Sequence, residues 1–262
     1  MKKMKLVMVG NGMAGVRTLE ELLKVAPDLY EITVFGAEPH PNYNRIMLSP
    51  VLAGEQTIDE IILNPVQWYA DHGITLHLNK KVVRIDRTRR VVVAEDGTEA
   101  AYDRLLLATG SNPFVLPVPG KDLEGVIAYR DIADTNYMIE TAKTHRHAVV
   151  IGGGLLGLEA ANGLAQRGMT VTVVHIAPWL LERQLDEVSA RLLQRSLEER
   201  GLAFRIGAQT QELLGDEHGR VKAVRFKDGT EVLADLVVMA VGIRPNTELA
   251  ASMRLHVDRG IV

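Results

Sequence analysis

The sequence contains no cysteine. That excludes structural disulfides, thiolate-held iron–sulfur clusters, Cys₄ zinc sites and a redox-active disulfide within the chain. Any electron chemistry then needs a bound organic cofactor or a centre outside these residues. Aromatic residues are scarce, at 5%, which speaks against a base-stacking surface. The formal net charge is -3, so no global basic field draws the chain to nucleic acid or acidic lipid. No apolar run approaches the roughly 20 residues of a membrane span. The opening MKKMKLVMVG sets lysines before an apolar stretch, as a signal peptide does. That stretch is short and runs straight into glycines, which reads as a first strand. The expected compartment is the cytoplasm, with neither membrane nor nucleic acid as a partner. The 8 histidines are scattered without metal-ligand spacing, and no Gly-x-Ser-x-Gly elbow appears, so no metal site and no hydrolase are expected.

What is present is a pattern that occurs twice. With 262 residues, 47% of them apolar, the chain can bury one large core or two modest ones. Leu6 to Val9 reads as a strand, followed by Gly10-Asn11-Gly12-Met13-Ala14-Gly15, a helix to about Val25 and a second strand from Glu31 to Phe35. Ala148 to Ile151 leads likewise into Gly152-Gly153-Gly154-Leu155-Leu156-Gly157, a helix to about Arg167 and a strand from Thr170 to His175. The residues between and after these units read as helix and loop, then short strands. Asp96-Gly97 and Asp228-Gly229 mark hairpin turns. Two apolar runs, Leu105 to Ala108 and Leu236 to Val241, are expected as strands buried on both faces. The fold class is α/β: two Rossmann-like dinucleotide-binding domains, each with an inserted or appended small antiparallel β element. The expected domains are 1–112, 113–242 and a return of 243–262 to the first.

Each glycine cluster has a physical reading. Gly10 permits a tight strand-to-helix turn, and Gly12 lets backbone approach a pyrophosphate. Gly15 allows close helix packing, while Met13 and Ala14 open a helix whose unpaired N–H groups face the anion. Gly152, Gly154, Leu155, Leu156 and Gly157 repeat these roles. An acidic side chain at the end of the second strand would accept bonds from the adenosine ribose hydroxyls. In the first unit that role falls to Glu38, two residues beyond the expected place. In the second, His175 holds the position; it does not repel a 2′-phosphate as a carboxylate would, and Arg183 is the first arginine to follow. The choice between NADH and NADPH is open.

The paired fingerprints, the exit Leu106-Leu107-Ala108-Thr109-Gly110 and the exit Val241-Gly242-Ile243-Arg244-Pro245-Asn246 resemble the pyridine nucleotide-disulfide oxidoreductase-like flavoproteins. Within them, Pro41-Asn42-Tyr43-Asn44-Arg45-Ile46-Met47-Leu48-Ser49, the opening Gly10 to Gly15 and Leu181-Glu182-Arg183-Gln184-Leu185-Asp186 are similar to the reductase region of the assimilatory nitrite reductase large subunit. The resemblance implies FAD on the first unit and NAD(P)H on the second. It also implies Arg45 at an FAD phosphate or the flavin edge, Val82 meeting adenine through its backbone, Thr109 and Gly110 beside FAD, Glu159 near the nicotinamide–flavin junction, and Gly242 among the cofactor-binding positions. Hydride would pass from NAD(P)H to FAD and electrons onward to iron–sulfur and sirohaem domains or a small redox protein, with no side chain as catalytic acid or base. A homodimer is compatible with this reading. Pro50 and Val51 stand where many relatives carry a lysine, and the family's second FAD motif would fall after Val262, so a truncated chain is expected. Two other readings are a stand-alone rubredoxin or ferredoxin reductase or NADH oxidase, and a non-catalytic dinucleotide-binding sensor or interaction module.

Overall fold

The computed structural model describes residues 3–262. The chain divides into two compact units: residues 1–45, 61–112 and 244–262 form the first, and 46–60 with 113–243 the second. Residues 111–113 and 243–245 pair as a two-stranded ribbon.

The first unit is built on β1 (Met4–Val9), α1 (Met13–Val25), β2 (Tyr30–Phe35), β3 (Thr75–His77) and β4 (Arg104–Leu107). Its sheet has the order β3-β2-β1-β4, with every neighbour parallel. Alternation along β1 divides the core, because successive strand side chains face opposite ways. Leu6 and Met8 pack with Val16 and Leu19 of α1, together with Ile32, Val34, Tyr69 and Ile74. Val7 and Val9 face the other way, onto Phe35, Val82, Ile85, Val92 and Ala94. The last four belong to a three-stranded antiparallel sheet of Val82–Asp86, Val91–Ala94 and Glu99–Ala101. Leu105 to Leu107 are half-buried rather than fully buried. The apolar run was expected to lie inside the sheet, but β4 is an edge strand, with a hydrogen-bonded neighbour on one side only.

In the second unit, β5 (Val126–Ala128), α3 (Ile132–Thr144), β6 (His147–Ile151), α4 (Leu155–Gln166), β7 (Thr170–His175), α5 (Glu187–Glu199), β8 (Ala203–Ile206) and β9 (Leu236–Met239) follow in chain order. The sheet order is β5-β9-β6-β7-β8, again parallel throughout. All four residues of β9 are buried, as expected of a strand flanked on both edges. Val149, Ile151, Val237 and Met239 pack onto Leu213, Val221, Val224 and Phe226 of a second three-stranded antiparallel sheet. A short helix early in the chain, α2 (Leu48–Ala53), also belongs to this unit. Gly163 of α4 explains the close approach: a Cβ there would lie 2.7 Å from Leu52 Cγ. Arg167 then donates from Nε to the Leu52 carbonyl at 2.7 Å and from Nη2 to that of Val51 at 3.0 Å. Among the described residues, no helix is long and apolar enough to cross a membrane.

Candidate functional site

Parallel sheets bind ligands outside the carboxyl ends of their strands, and both glycine clusters lie there. In the first unit, Gly10 follows β1 with φ +107°, and a Cβ on it would sit 2.0 Å from the Ala108 carbonyl oxygen. Only glycine fits that combination of left-handed backbone and close approach. At Gly15 a Cβ would meet Met8 Sδ at 2.9 Å and the Gly10 carbonyl oxygen at 3.0 Å, so α1 is packed onto the turn. Gly12 differs. It caps α1 in extended conformation, makes no side-chain cap bond, and has nothing within 4 Å of where a Cβ would be. Packing does not demand glycine there, and the space over the helix N-terminus is open. Buried Asn11 Nδ2 in the same turn has no hydrogen-bond partner, while Asn11 Oδ1 accepts from Tyr69 at 2.7 Å. Burial pushes the Tyr69 hydroxyl up to about 12, so it stays a donor.

Beside this turn is a cleft of about 490 Å³, lined by Gly10, Phe35, Lys80, Lys81, Val82, Thr109, Asn112 and Asn246 among others. Thr109 Oγ1 donates to the Asn246 carbonyl at 2.7 Å, Asn246 Nδ2 donates to that of Thr109 at 2.9 Å, and Asn246 N–H donates to that of Gly110 at 2.9 Å. Gly110 accepts this bond with its own φ at +67°. The cleft thus gathers Gly10, Val82 and Thr109 of the expected positions. Lys80, Lys81, Asn112 and Asn246 were not foreseen. The adjacent lysines before Val82 and the asparagine closing the second exit motif are the signals that could have found them. Glu38 and Arg45 meet each other instead, at 2.5 Å, with Tyr43 donating to the second Glu38 oxygen at 2.7 Å. Neither Glu38 nor Arg45 lines the cleft.

The second unit repeats the geometry. Gly152 has φ +123°, and a Cβ there would lie 2.2 Å from the Ala240 carbonyl oxygen. At Gly157 a Cβ would lie 1.9 Å from the Gly152 carbonyl oxygen. Gly154 caps α4 in extended conformation and again has nothing within 4 Å of a Cβ. Leu155 and Leu156 open α4 as exposed apolar side chains. Gly242, at φ +110°, also faces open space. His175 ends β7 buried, and its Nδ1 accepts from Gly153 N–H at 3.1 Å. Glu159 is exposed on α4 and accepts from Ser49 of α2 at 2.7 Å. Met13 and Ala14 occupy the first turn of α1, as Leu155 and Leu156 do that of α4.

Each of the two turns thus has two glycines that packing requires and one that faces open space at a helix N-terminus, a shape with room for a dinucleotide pyrophosphate. The sequence profile of pyridine nucleotide-disulphide oxidoreductases matches residues 4–262. The chain belongs to that family. As a pyridine nucleotide-disulphide oxidoreductase relative, it is an oxidoreductase with FAD and NAD(P)H as its cofactors. It is 55% identical to the nitrite reductase [NAD(P)H] of Bacillus subtilis (strain 168) over its whole length, which is 32% of that protein. It is 33% identical to the rubredoxin-NAD(+) reductase of Pseudomonas putida, over 99% of this chain and 67% of that one. The crystal structure of a ferredoxin reductase from Rhodopseudomonas palustris superposes with a TM-score of 0.91 at 29% identity, covering 98% of this chain and 63% of the other. The chain therefore spans about a third of the first of these relatives.

Proposed function

We propose that this chain is the NAD(P)H-oxidising reductase module of a nitrite-reductase-type flavoprotein, with FAD on the first unit and the nicotinamide on the second. The repeated cradle carries the reading: one chain holds two glycine turns whose middle glycine is left open for a phosphate. When bound, the cofactors supply hydride transfer from nicotinamide to flavin and the onward passage of electrons. The protein's own residues bind and orient. Backbone N–H groups at the N-termini of α1 and α4 hold the pyrophosphates. Val82, Thr109 and Asn246 line the cleft for the FAD adenosine portion, with Lys81 adding positive charge beside a diphosphate while Lys80 is paired with Asp96. Arg45, held against Glu38, and Ser49-bound Glu159 are the side chains proposed to approach the reacting rings. No side chain serves as acid or base in this half-reaction, and the acceptor is a downstream iron–sulfur or haem centre or a small redox protein.

A rubredoxin-type reductase is the second reading, favoured by the relative that the chain covers to 67%. An anaerobic absorbance spectrum of FAD-loaded protein before and after stoichiometric NADH or NADPH tests the shared half-reaction. Bleaching of the flavin band by either donor supports it. Bound FAD that neither donor bleaches refutes the reductase assignment and leaves a dinucleotide-binding module. Rubredoxin reduction assays separate the two acceptor classes.

A further inference from the structure

The second unit lacks a carboxylate at the end of β7, where the ribose acceptor of a dinucleotide fold normally stands. The structure supplies one from elsewhere. His175 Nδ1 accepts the Gly153 N–H at 3.1 Å, so the ring proton sits on Nε2. From there His175 donates to Glu182 Oε2 at 3.1 Å. Glu182 is seven residues further along, and a tight turn returns it: Leu181 adopts φ +53° and its N–H donates to the Gly153 carbonyl at 3.1 Å. Leu180 and Leu181 are both buried beneath that turn, Leu180 completely. Gly153 admits it, since a Cβ there would lie 2.6 Å from Leu180 Cδ2 and 2.8 Å from His175 Cγ. The middle of the fingerprint therefore makes both the bond that fixes the histidine tautomer and the bond that fixes the glutamate's turn. The Glu182 side chain keeps 36% of its surface exposed, and Ile176, immediately after the strand, is an apolar residue left 68% exposed.

We propose that Glu182, oriented by His175, is the specificity-determining residue of the second unit, accepting the adenosine ribose hydroxyls and excluding a 2′-phosphate, so that the chain prefers NADH to NADPH. This rests on the reading of the second unit as the nicotinamide site. His175 alone is indifferent to a 2′-phosphate, but it holds a carboxylate that is not. Arg183 is the competing candidate, because an arginine beside the ribose would welcome the phosphate. It follows Glu182 on the exposed side of the turn and has no counterpart to the histidine bond that aims Glu182 at the strand end.

Isothermal titration with NAD⁺ and with NADP⁺ tests this by binding alone, on the unmodified chain and on Glu182→Gln and Arg183→Ala, with thermal melts reporting that each variant folds. The unmodified chain is expected to bind NAD⁺ about tenfold or more tightly than NADP⁺, the worth of a hydrogen bond to a charged group. Glu182→Gln, which keeps the shape and removes the charge, shrinks that preference by about tenfold, while Arg183→Ala preserves it. A preference unchanged by Glu182→Gln, a preference for NADP⁺ in the unmodified chain, or its collapse in Arg183→Ala overturns the proposal while leaving a nicotinamide site in place. Binding of neither nucleotide to the unmodified chain refutes the nicotinamide reading itself, and the proposal with it.

Discussion

Single residues carry the binding argument, and the glycines separate into two kinds that substitution distinguishes. Gly10 combines φ +107° with a backbone oxygen 2.0 Å from any Cβ. Gly10→Ala should cost roughly 3 kcal/mol or more, through strain and a clash that no rotamer relieves. Gly12 is extended and open, so Gly12→Ala loses only the modest advantage of glycine at a helix cap, under about 1 kcal/mol. Urea unfolding of the cofactor-free protein checks both; a Gly12 variant as unstable as the Gly10 variant would show that packing, not a ligand, requires that glycine. The turn and packing roles of Gly10 and Gly15 were legible in the sequence because spacing between a strand and a helix fixes them. The partner of His175 was not. His175 reads as a departure until Leu181, in a left-handed conformation that nothing in its side chain announces, turns Glu182 back onto it.

Elements show the same repetition in their fastenings. Asp103, just before β4, accepts the Lys5 N–H at 2.7 Å and returns its own N–H to the Lys5 carbonyl. Asp235, just before β9, does the same for β6, accepting from Arg146 and His147 backbone N–H groups and from the His147 ring. Burial raises the Asp235 pKa, but the His147 and Arg146 backbone donors with the His147 ring outweigh it and hold the carboxyl below its ordinary 3.8. A depressed folded pKa means the clasp is in full effect above the unfolded value and weakens as pH falls through the folded one. Asp235→Asn should therefore lower the melting temperature at neutral pH and flatten its fall from about pH 5 to about pH 3; melting curves that drop in parallel over that range would disprove the contribution. Most of these elements were foreseen, since Gly10, Gly152, Asp96-Gly97 and Asp228-Gly229 punctuate the periodic runs. Two features were not. The edge position of β4 depends on sheet order, which the run Leu105 to Leu107 does not encode. The placement of α2 depends on Gly163 and Arg167, more than a hundred residues away, and no local pattern reaches that far.

At the scale of the whole chain, two cradles of one geometry raise the question of which cofactor each holds, and thermodynamic linkage answers it without catalysis. A ligand that binds only the folded state stabilises it, by about 2.7 kcal/mol at a hundred times its dissociation constant. FAD and NAD⁺ should each raise the melting temperature of the unmodified chain. Gly12→Ala and Gly154→Ala place a methyl group in the open space of one cradle each, where neither has a protein neighbour within 4 Å. The cofactor-free melting temperatures of both variants should stay near that of the unmodified chain, since the added methyl touches no protein atom. With ligand, the responses should cross. Gly12→Ala loses most of the FAD-induced rise and keeps the NAD⁺ response; Gly154→Ala keeps the FAD response and loses that to NAD⁺. Reversal of this pattern would exchange the two assignments. Loss of both responses in either variant would mean that the cradles are not separate sites, because each substitution adds a methyl group to one turn only.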